Sequence, residues 1–538
     1  MTHLFVRRLL PLLLAAAIVP VGFWGVGLAQ AQAPKTLVIA IGADQTGLDP
    51  QTVENNESGF VMSTIFDSIV NYKPGSSDVG PGLAESWTIS PDGKVYTFHI
   101  RHNVNFQDGT PMNARTVAQD VDRAINPNNP CYVLARKDVD TYDDFTFGSV
   151  KDGTVAKMDV LDDYTLRFTL PQPNAPFITS LAMVWQGIMS PAATKQYNCD
   201  ASQHPVGTGP FKFVEAVRND HITLDANAAY WGGRPKVDRL IFQIVPESAT
   251  RMLQLERNQV QVLADVPPSD YSRVTGNKDL KLYSAPGLTI LGVGMSNDLG
   301  PFKDVRVRQA MNYAVDKDAI NKGLYGGATT ASQGMPPVLW GYNKSVDPYP
   351  YDPAKAKQLL TEAGFASGFT TEMIVYANPR GYNPIGGAKL GEAVQGYLAK
   401  VGVNVKITQY EWGAYLDKYR HTPWEGFAIS GWSGDNGDPD NFLGDLFEWD
   451  EVAGKARANN ASRHHDVAYD KLIVQGRQVT DQAKRAAIYE QANKLLHDDA
   501  AWIFINHTNQ VRATRTNVTG FQLNPLQMFF HMEQVGLQ

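Results

Sequence analysis

A chain of 538 residues is too long for one ordinary hydrophobic core and requires two to four domains. Hydrophobic residues make up 43% and charged residues 19%, which excludes a disordered chain. The formal net charge of −7 carries no basic excess, which argues against nucleic acid as a partner.

The chain opens with the pattern of an export signal. Arg7 and Arg8 form a positive n-region, "LLPLLLAAAIVPVGFWGVGLA" an apolar stretch, and "AQA" at Ala29–Ala31 a small-x-small cleavage site. Gly27–Ala29 is an alternative cleavage site within the same segment. Leu9–Ala29 is nearly long enough to span a bilayer, but Pro11, Pro20 and the glycines weaken it as a helix. Cleavage is expected, with an exported mature chain. Loss of the two arginines takes the net charge to −9. Cys131 and Cys199 remain, and in an oxidising compartment they are candidates to pair.

"TLVIAIG" (36–42) is an apolar, β-branched run and predicts a buried strand. "KVYTFHIR" (94–101) alternates and follows the turn "SPDGK", and "YTLRFTL" (164–170) repeats that style. The first half therefore reads as strand-rich. In the second half, "KDVRVRQAMNYAVDKDAINKGL" (303–324) predicts one helix with Val307, Ala310, Met311, Ala314 and Val315 on one face. "YDPAKAKQLLTEAGF" (351–365) carries an N-cap at Asp352, Pro353 at the first helical position and Gly364 past the end. "GVNVKITQYEW" (402–412) predicts a strand leading into a helix. "DQAKRAAIYEQANKLLHDD" (481–499) predicts a helix, and "AAWIFINH" (500–507) a strand. Strands alternating with helices predict an α/β lobe with a largely parallel sheet. The last segment, "LQMFFHMEQVGLQ", is expected to return to the first lobe. Two such lobes imply a cleft between them.

"GWSGDNGDPDNF" (431–442) crowds Asp435, Asp438 and Asp440 beside Trp432. A calcium loop counted from Asp435 places Asp440 where Gly is needed and Leu446 where Glu is needed. "GWSGD" lacks the last glycine of a nucleophile elbow. No His-Glu-x-x-His and no Walker A motif occurs. His99 and His102 are a weak ligand signal, and His464–His465 reads as a solvated loop. Two readings of the Asp loop stay open: an anchor for a cationic ligand group, or three aspartates that only cap turns.

Several stretches resemble the peptide/nickel-type solute-binding proteins of ABC importers, and most closely their dipeptide-binding members. They are "PGLAESWTISPDGKVYTFHIRHNVNFQDGTP", "PVGTGPFKF", "YWGGRPKVDRL", "DVRVRQAMNYAVDKDAI", "WGYN", "YDPAKAKQLLTEAGF", "RGYNP" and "GWSGDNGDPDNF". The resemblance implies a mixed α/β, two-lobed, periplasmic-binding-protein-like (type II) fold with a hinge and an interlobe ligand cleft. The boundaries expected are a signal peptide at 1–31, a strand-rich lobe with an inserted subdomain at 32–287 plus 508–538, and an α/β lobe at 288–507. The resemblance further implies that Asp435 pairs the α-amino group of a peptide and Arg380 its α-carboxylate, with Gly431, Trp432 and Tyr382 alongside. By rough alignment Glu54, Asn55 and Asn56 form the contact segment of the first lobe. Asp438, Pro439 and Asp440 are expected to shape the loop. Relatives carry a Cys pair near "NASRHHDVAYDKLI", where this chain has His464 and His465.

The function implied is capture of dipeptides, or tripeptides, by a monomeric, non-enzymatic importer component. It implies no cofactor and no metal. The partner is a permease with two transmembrane subunits and cytoplasmic ATPase subunits. Competing readings are the same fold with glutathione, haem, an opine or a nickel chelate, a periplasmic peptidase or other hydrolase, and a chaperone-like protein that holds peptides loosely.

Overall fold

The structure is a computed structural model that describes residues 34–53, 55–133, 146–147, 154–421, 424–457 and 459–538. The expected signal segment 1–31 and Glu54 lie outside the described residues. Among those described, no helix is long and apolar enough to cross a membrane.

Three large sheets organise the chain. The first has seven strands, in the order Leu280–Pro286, Asn509–Arg515, Val262–Leu263, Thr36–Ile41, Arg239–Ile244, His221–Ala226 and Phe211–Val217. Thr36–Ile41 runs parallel to both of its neighbours and sits inside the sheet. Its apolar run follows from that position, because Leu37, Ile39, Ala40 and Ile41 are all fully buried. The C-terminal segment packs on this half of the molecule. Phe529 meets the edges of Phe60 and Phe242 at 5.3 and 5.9 Å.

The second sheet has six strands, in the order Thr329–Thr330, Trp502–His507, Thr289–Met295, Gly426–Ser433, Phe369–Tyr376 and Val403–Tyr410. The expectation of a largely parallel sheet is corrected here. Phe369–Tyr376 is parallel to Val403–Tyr410 and to Gly426–Ser433, and the other pairings are antiparallel. The parallel pairs are those joined through the helices Gly387–Ala399 and Trp412–His421, as crossover geometry demands. Thr289–Met295 enters from the first sheet instead and pairs antiparallel on both sides.

A third, four-stranded antiparallel sheet (Ala84–Ile89, Val95–Ile100, Thr165–Thr169, Lys157–Asp162) lies between the first strands. It shares a core with helices of the second half. Asn436 Nδ2 donates to Ser180 Oγ at 3.1 Å, and the Ala175 amide donates to the Arg477 carbonyl at 2.8 Å. Cys131 and Cys199 form a disulfide with their Cα atoms 5.2 Å apart. Closing that loop restricts the unfolded chain by about 4 kcal/mol in the chain-entropy account.

Two further expectations change. Residues 303–324 are two helices, Val305–Ala314 and Lys317–Leu324. Val315 is extended, and the Asp316 carboxylate accepts from the Ala319 amide at 2.9 Å, so Asp316 starts a new helix. His464 is fully buried, not solvated. Its Nδ1 lies 2.9 Å from the Phe447 carbonyl, and its ring meets Tyr469 edge-on at 5.0 Å. Only His465 faces solvent, stacked on Trp449.

The chain passes between the first two sheets twice, at Gly287–Leu288 and at Thr508, and the two passages lie side by side. The Thr508 amide donates to Thr289 Oγ1 at 2.9 Å, and the Gly287 amide donates to the Thr508 carbonyl at 3.3 Å. His507 Nδ1–H donates to the Thr289 carbonyl at 2.8 Å, while its buried Nε2 has no hydrogen-bond partner. Burial pushes the His507 pKa down to about 4. Below pH 6.5 the unfolded chain takes up a proton that the folded chain refuses until about pH 4, so stability falls as pH drops through that window. The His507 contribution amounts to about 3 kcal/mol at full development. Chemical denaturation from pH 7 to 4 should show a shallower decline for His507→Asn, whose amide keeps a donor for Thr289. An unchanged slope would place the acid sensitivity elsewhere.

Candidate ligand-binding site

The strand Gly426–Ser433 runs into the Asp loop, and the helix Asp440–Phe447 follows it. The loop owes its shape to Asp438, which is fully buried. Both Asp438 oxygens accept from the Arg485 guanidinium, at 2.7 and 2.8 Å. Asp438 Oδ1 also accepts from the Asp440 amide at 3.0 Å. Asp440 in turn accepts from Arg477 Nε at 2.9 Å. Two of the three carboxylates are thus engaged by arginines, which takes the loop away from a cation cage.

The third, Asp435, is only partly buried. Asn441 holds it from below. Asn441 Oδ1 accepts from the Asp435 amide at 2.8 Å and from Trp432 Nε1 at 3.2 Å, and its Nδ2 donates to Asp435 Oδ2 at 3.1 Å. Asp435 borders a small cavity of about 30 Å³ whose walls include Asn56, Tyr72, Trp185, Met528 and Phe530. Burial, followed by the charges of Asp435 and Asp438, pushes the Tyr72 hydroxyl well above its usual pKa. It stays a donor, to the Thr179 carbonyl at 3.1 Å.

Arg380 sits in a tight turn closed by two backbone hydrogen bonds with Asn383, at 2.9 and 2.8 Å. Asn383 is fully buried, donates to the Tyr376 hydroxyl and accepts from the Tyr325 hydroxyl, both at 2.9 Å. The Arg380 guanidinium lies 3.7 Å over the Trp412 ring, a cation–π contact that fixes its plane. Burial lowers its pKa, with Tyr382, Tyr376 and Glu57 acting in the opposite direction. Arg380 lines a cleft of about 1060 Å³, faced by the start of the helix Asn56–Ile65 and by the strand Asn509–Arg515. Asn56 borders both cavities, the one that Arg380 lines and the one that Asp435 lines.

The remaining expected residues divide by position. Asn55 and Asn56 both line the large cleft. Asn55 caps the helix, accepting from the Ser58 amide at 2.8 Å and donating to Thr46 Oγ1, so its amide is already engaged. Gly431, Trp432 and Tyr382 border neither of these two cavities. They form the layer behind. A Cβ at Gly431 would stand 2.3 Å from Tyr382 Cδ2 and 2.8 Å from the Ile290 carbonyl. Sequence reasoning missed Asn441, Asn383, Trp412 and Glu57. Burial raises the Glu57 carboxyl, and Arg380 pulls it back. Asn441 and Asn383 had a sequence signal, since they lie inside the motifs "GWSGDNGDPDNF" and "RGYNP". Gly431→Ala should destabilise the fold by about 1–3 kcal/mol through overpacking and loosen the Arg380 turn beside Tyr382. Urea denaturation read alongside ligand affinity checks this, and a variant as stable as the parent would show that Tyr382 moves freely.

The model of the bacterial extracellular solute-binding proteins, family 5, middle part, matches residues 78–453. The dipeptide-binding protein of Escherichia coli is 35% identical, over 94% of this chain and 95% of its own. Heme-binding protein A of Haemophilus influenzae is 33% identical, over 92% and 91%. A solved structure of an ABC-transporter-associated periplasmic binding protein from Helicobacter pylori, in complex with the peptide STSA, superposes with a TM-score of 0.78 at 31% identity. That superposition covers 93% of this chain and 98% of the other. The fold, the cleft and these matches agree: the chain belongs to family 5 of the bacterial extracellular solute-binding proteins.

Proposed function

We propose that this protein captures short peptides, dipeptides first, in the periplasm and delivers them to an ABC permease with two transmembrane and cytoplasmic ATPase subunits. The observation that carries this is that Asp435 and Arg380 line two cavities that share Asn56. Asp435 offers an acceptor for an ammonium group, and Arg380 offers a planar fork for a carboxylate. A zwitterionic peptide satisfies both groups, and it does so only at a suitable length, since each residue spans at most ~3.3–3.6 Å. The cleft of about 1060 Å³ lies at the upper end of ordinary ligand pockets, leaving room for varied side chains and water. Family membership supports a binding role without turnover, and the export-signal pattern of the first residues supports export.

In this reading residues 32–287 plus 508–538 form one lobe and 288–507 the other. The paired crossovers at Gly287–Leu288 and Thr508 serve as the hinge. Ligand that touches both lobes favours the closed form, so small-angle scattering should give a smaller radius of gyration with saturating dipeptide. An unchanged radius would remove the hinge from the mechanism.

The relative named for haem suggests a second ligand, but a haem carries two propionates and would meet the Asp435 carboxylate. Calorimetry with a free, an N-acetylated and a C-amidated dipeptide separates the readings. Asp435→Ala and Arg380→Ala should each weaken the free dipeptide by about 2–5 kcal/mol, because each leaves a charge stranded. The N-acetylated peptide should lose little more on Asp435→Ala, and the amidated one little more on Arg380→Ala. A free dipeptide bound equally by Asp435→Ala would reduce the Asp loop to a capped turn. Saturable haem absorbance changes without peptide binding would favour the second ligand.

A further inference from the structure

The large cleft contains a cation for which a simple dipeptide has no use. Arg512, on the strand Asn509–Arg515, lines the same cavity as Arg380 and is only 7% exposed. Its guanidinium donates to the Gln527 carbonyl at 3.0 Å and to the Val511 carbonyl at 3.3 Å, both neutral acceptors. The rings of Phe60 and Phe529 lie 5.8 Å from it. Among the described residues it forms no salt bridge. The nearby Asp265 is committed to Arg251 at 2.6 Å. The described charged side chains lining the cavity are Arg251, Arg380 and Arg512 against Glu57 and Asp265; Arg251 takes Asp265, and among the described residues neither Arg380 nor Arg512 has a salt-bridge partner. Burial draws the Arg512 pKa down to about 10, still far above neutral, so the charge persists at working pH.

A buried guanidinium without a counter-ion is costly, and the deficit is met when a ligand brings an anion. Asp435 borders the small cavity, whereas Arg380 and Arg512 share the large one. The second anion therefore belongs on the carboxyl-terminal half of the ligand. Resting on the peptide reading above, we propose that Arg512 is a specificity-determining residue that pairs a second carboxylate on the ligand, the side chain of a carboxyl-terminal Glu or Asp. The class of substrate preferred is then an acidic dipeptide. The same chemistry would arise if a third residue carried the terminal carboxylate past Arg380 to Arg512, and a tripeptide arm separates the two sources.

Calorimetry on the full mature chain with Ala-Glu, Ala-Gln, Ala-Ala and Ala-Ala-Ala provides the test. Ala-Glu should bind the parent protein at least tenfold tighter than its isostere Ala-Gln. In Arg512→Gln that difference should vanish while Ala-Ala is held as before. The comparison of Ala-Glu with Ala-Gln in the parent stands by itself if the variant does not fold. Equal affinities there overturn the proposal. So does an equal loss for all ligands in Arg512→Gln, which would mark a structural arginine. A preference confined to Ala-Ala-Ala and lost in Arg512→Gln would move the partner to the terminal carboxylate and overturn the acidic side chain. Failure of every peptide, Ala-Ala included, would remove the peptide reading itself, whereas Ala-Ala binding without an acidic preference removes only this one.

Discussion

The two oxygens of Asp438, clasped by both terminal nitrogens of Arg485, fix the position of the loop that carries Asp435. A carboxylate with no solvent exposure is tolerable only with such a partner. The consequence propagates along the chain in both directions. Asp438 Oδ1 takes the Asp440 amide and so starts the helix Asp440–Phe447. That helix presents Asn441, and Asn441 sets the backbone and the side chain of Asp435. Arg485 comes from the helix Gln482–Asp498, and stacking of its guanidinium on Trp340 at 4.9 Å holds it from the other side. Asp435 is thus placed by a buried carboxylate three residues away.

The opposite end of the site is built by different means. Among the described residues no salt bridge positions Arg380, and Glu57 acts on it only through its field. A buried amide, Asn383, closes its turn, and an aromatic face, Trp412, defines the plane of its guanidinium. The contrast suits the two jobs. A short carboxylate needs its backbone fixed, and a long guanidinium needs its last atoms fixed while its charge stays available. Behind both stands Gly431, where the missing side chain lets the Tyr382 ring lie against the strand.

Local patterning exposed those elements whose cause is local. Thr36–Ile41 announces itself because both its faces are buried, and Pro353–Glu362 because Asp352 and Pro353 cap it in sequence. The break at Val315–Asp316 was hidden because the apolar period runs through it, while the new cap competes only by one hydrogen bond. The sheet direction was misjudged because Thr289–Met295 arrives from another sheet, a fact that no window of sequence contains. The burial of His464 depends on Phe447 and Tyr469 closing over it. At the site, motif likeness pointed to Asp435 and Arg380, and the structure places them at adjoining cavities. The partners that fix them lie far along the chain or look ordinary in it. Arg485 is 47 residues from Asp438, Trp412 has no pattern that sets it apart, and Asn383, inside "RGYNP", gives no sign there that it is the buried clasp of the turn.

The strand Asn509–Arg515 lies inside the first sheet, between Leu280–Pro286 and Val262–Leu263, and pairs antiparallel with both. It is also among the last strands to leave a ribosome or a translocation channel that delivers the chain from its N-terminus. Until it arrives, Leu280–Pro286 has no neighbour in its sheet and the core strand Val262–Leu263 has one open edge. The first lobe therefore cannot close while the chain is still being delivered, however long its early strands have been free. Such late completion leaves the seven-stranded sheet unfinished until Asn509–Arg515 is available. It also defers the second crossing between the sheets until all six strands of the second sheet have been delivered, so the cleft gains the wall at Asn509–Arg512 after the Asn56 helix and the Arg380 turn are already in place.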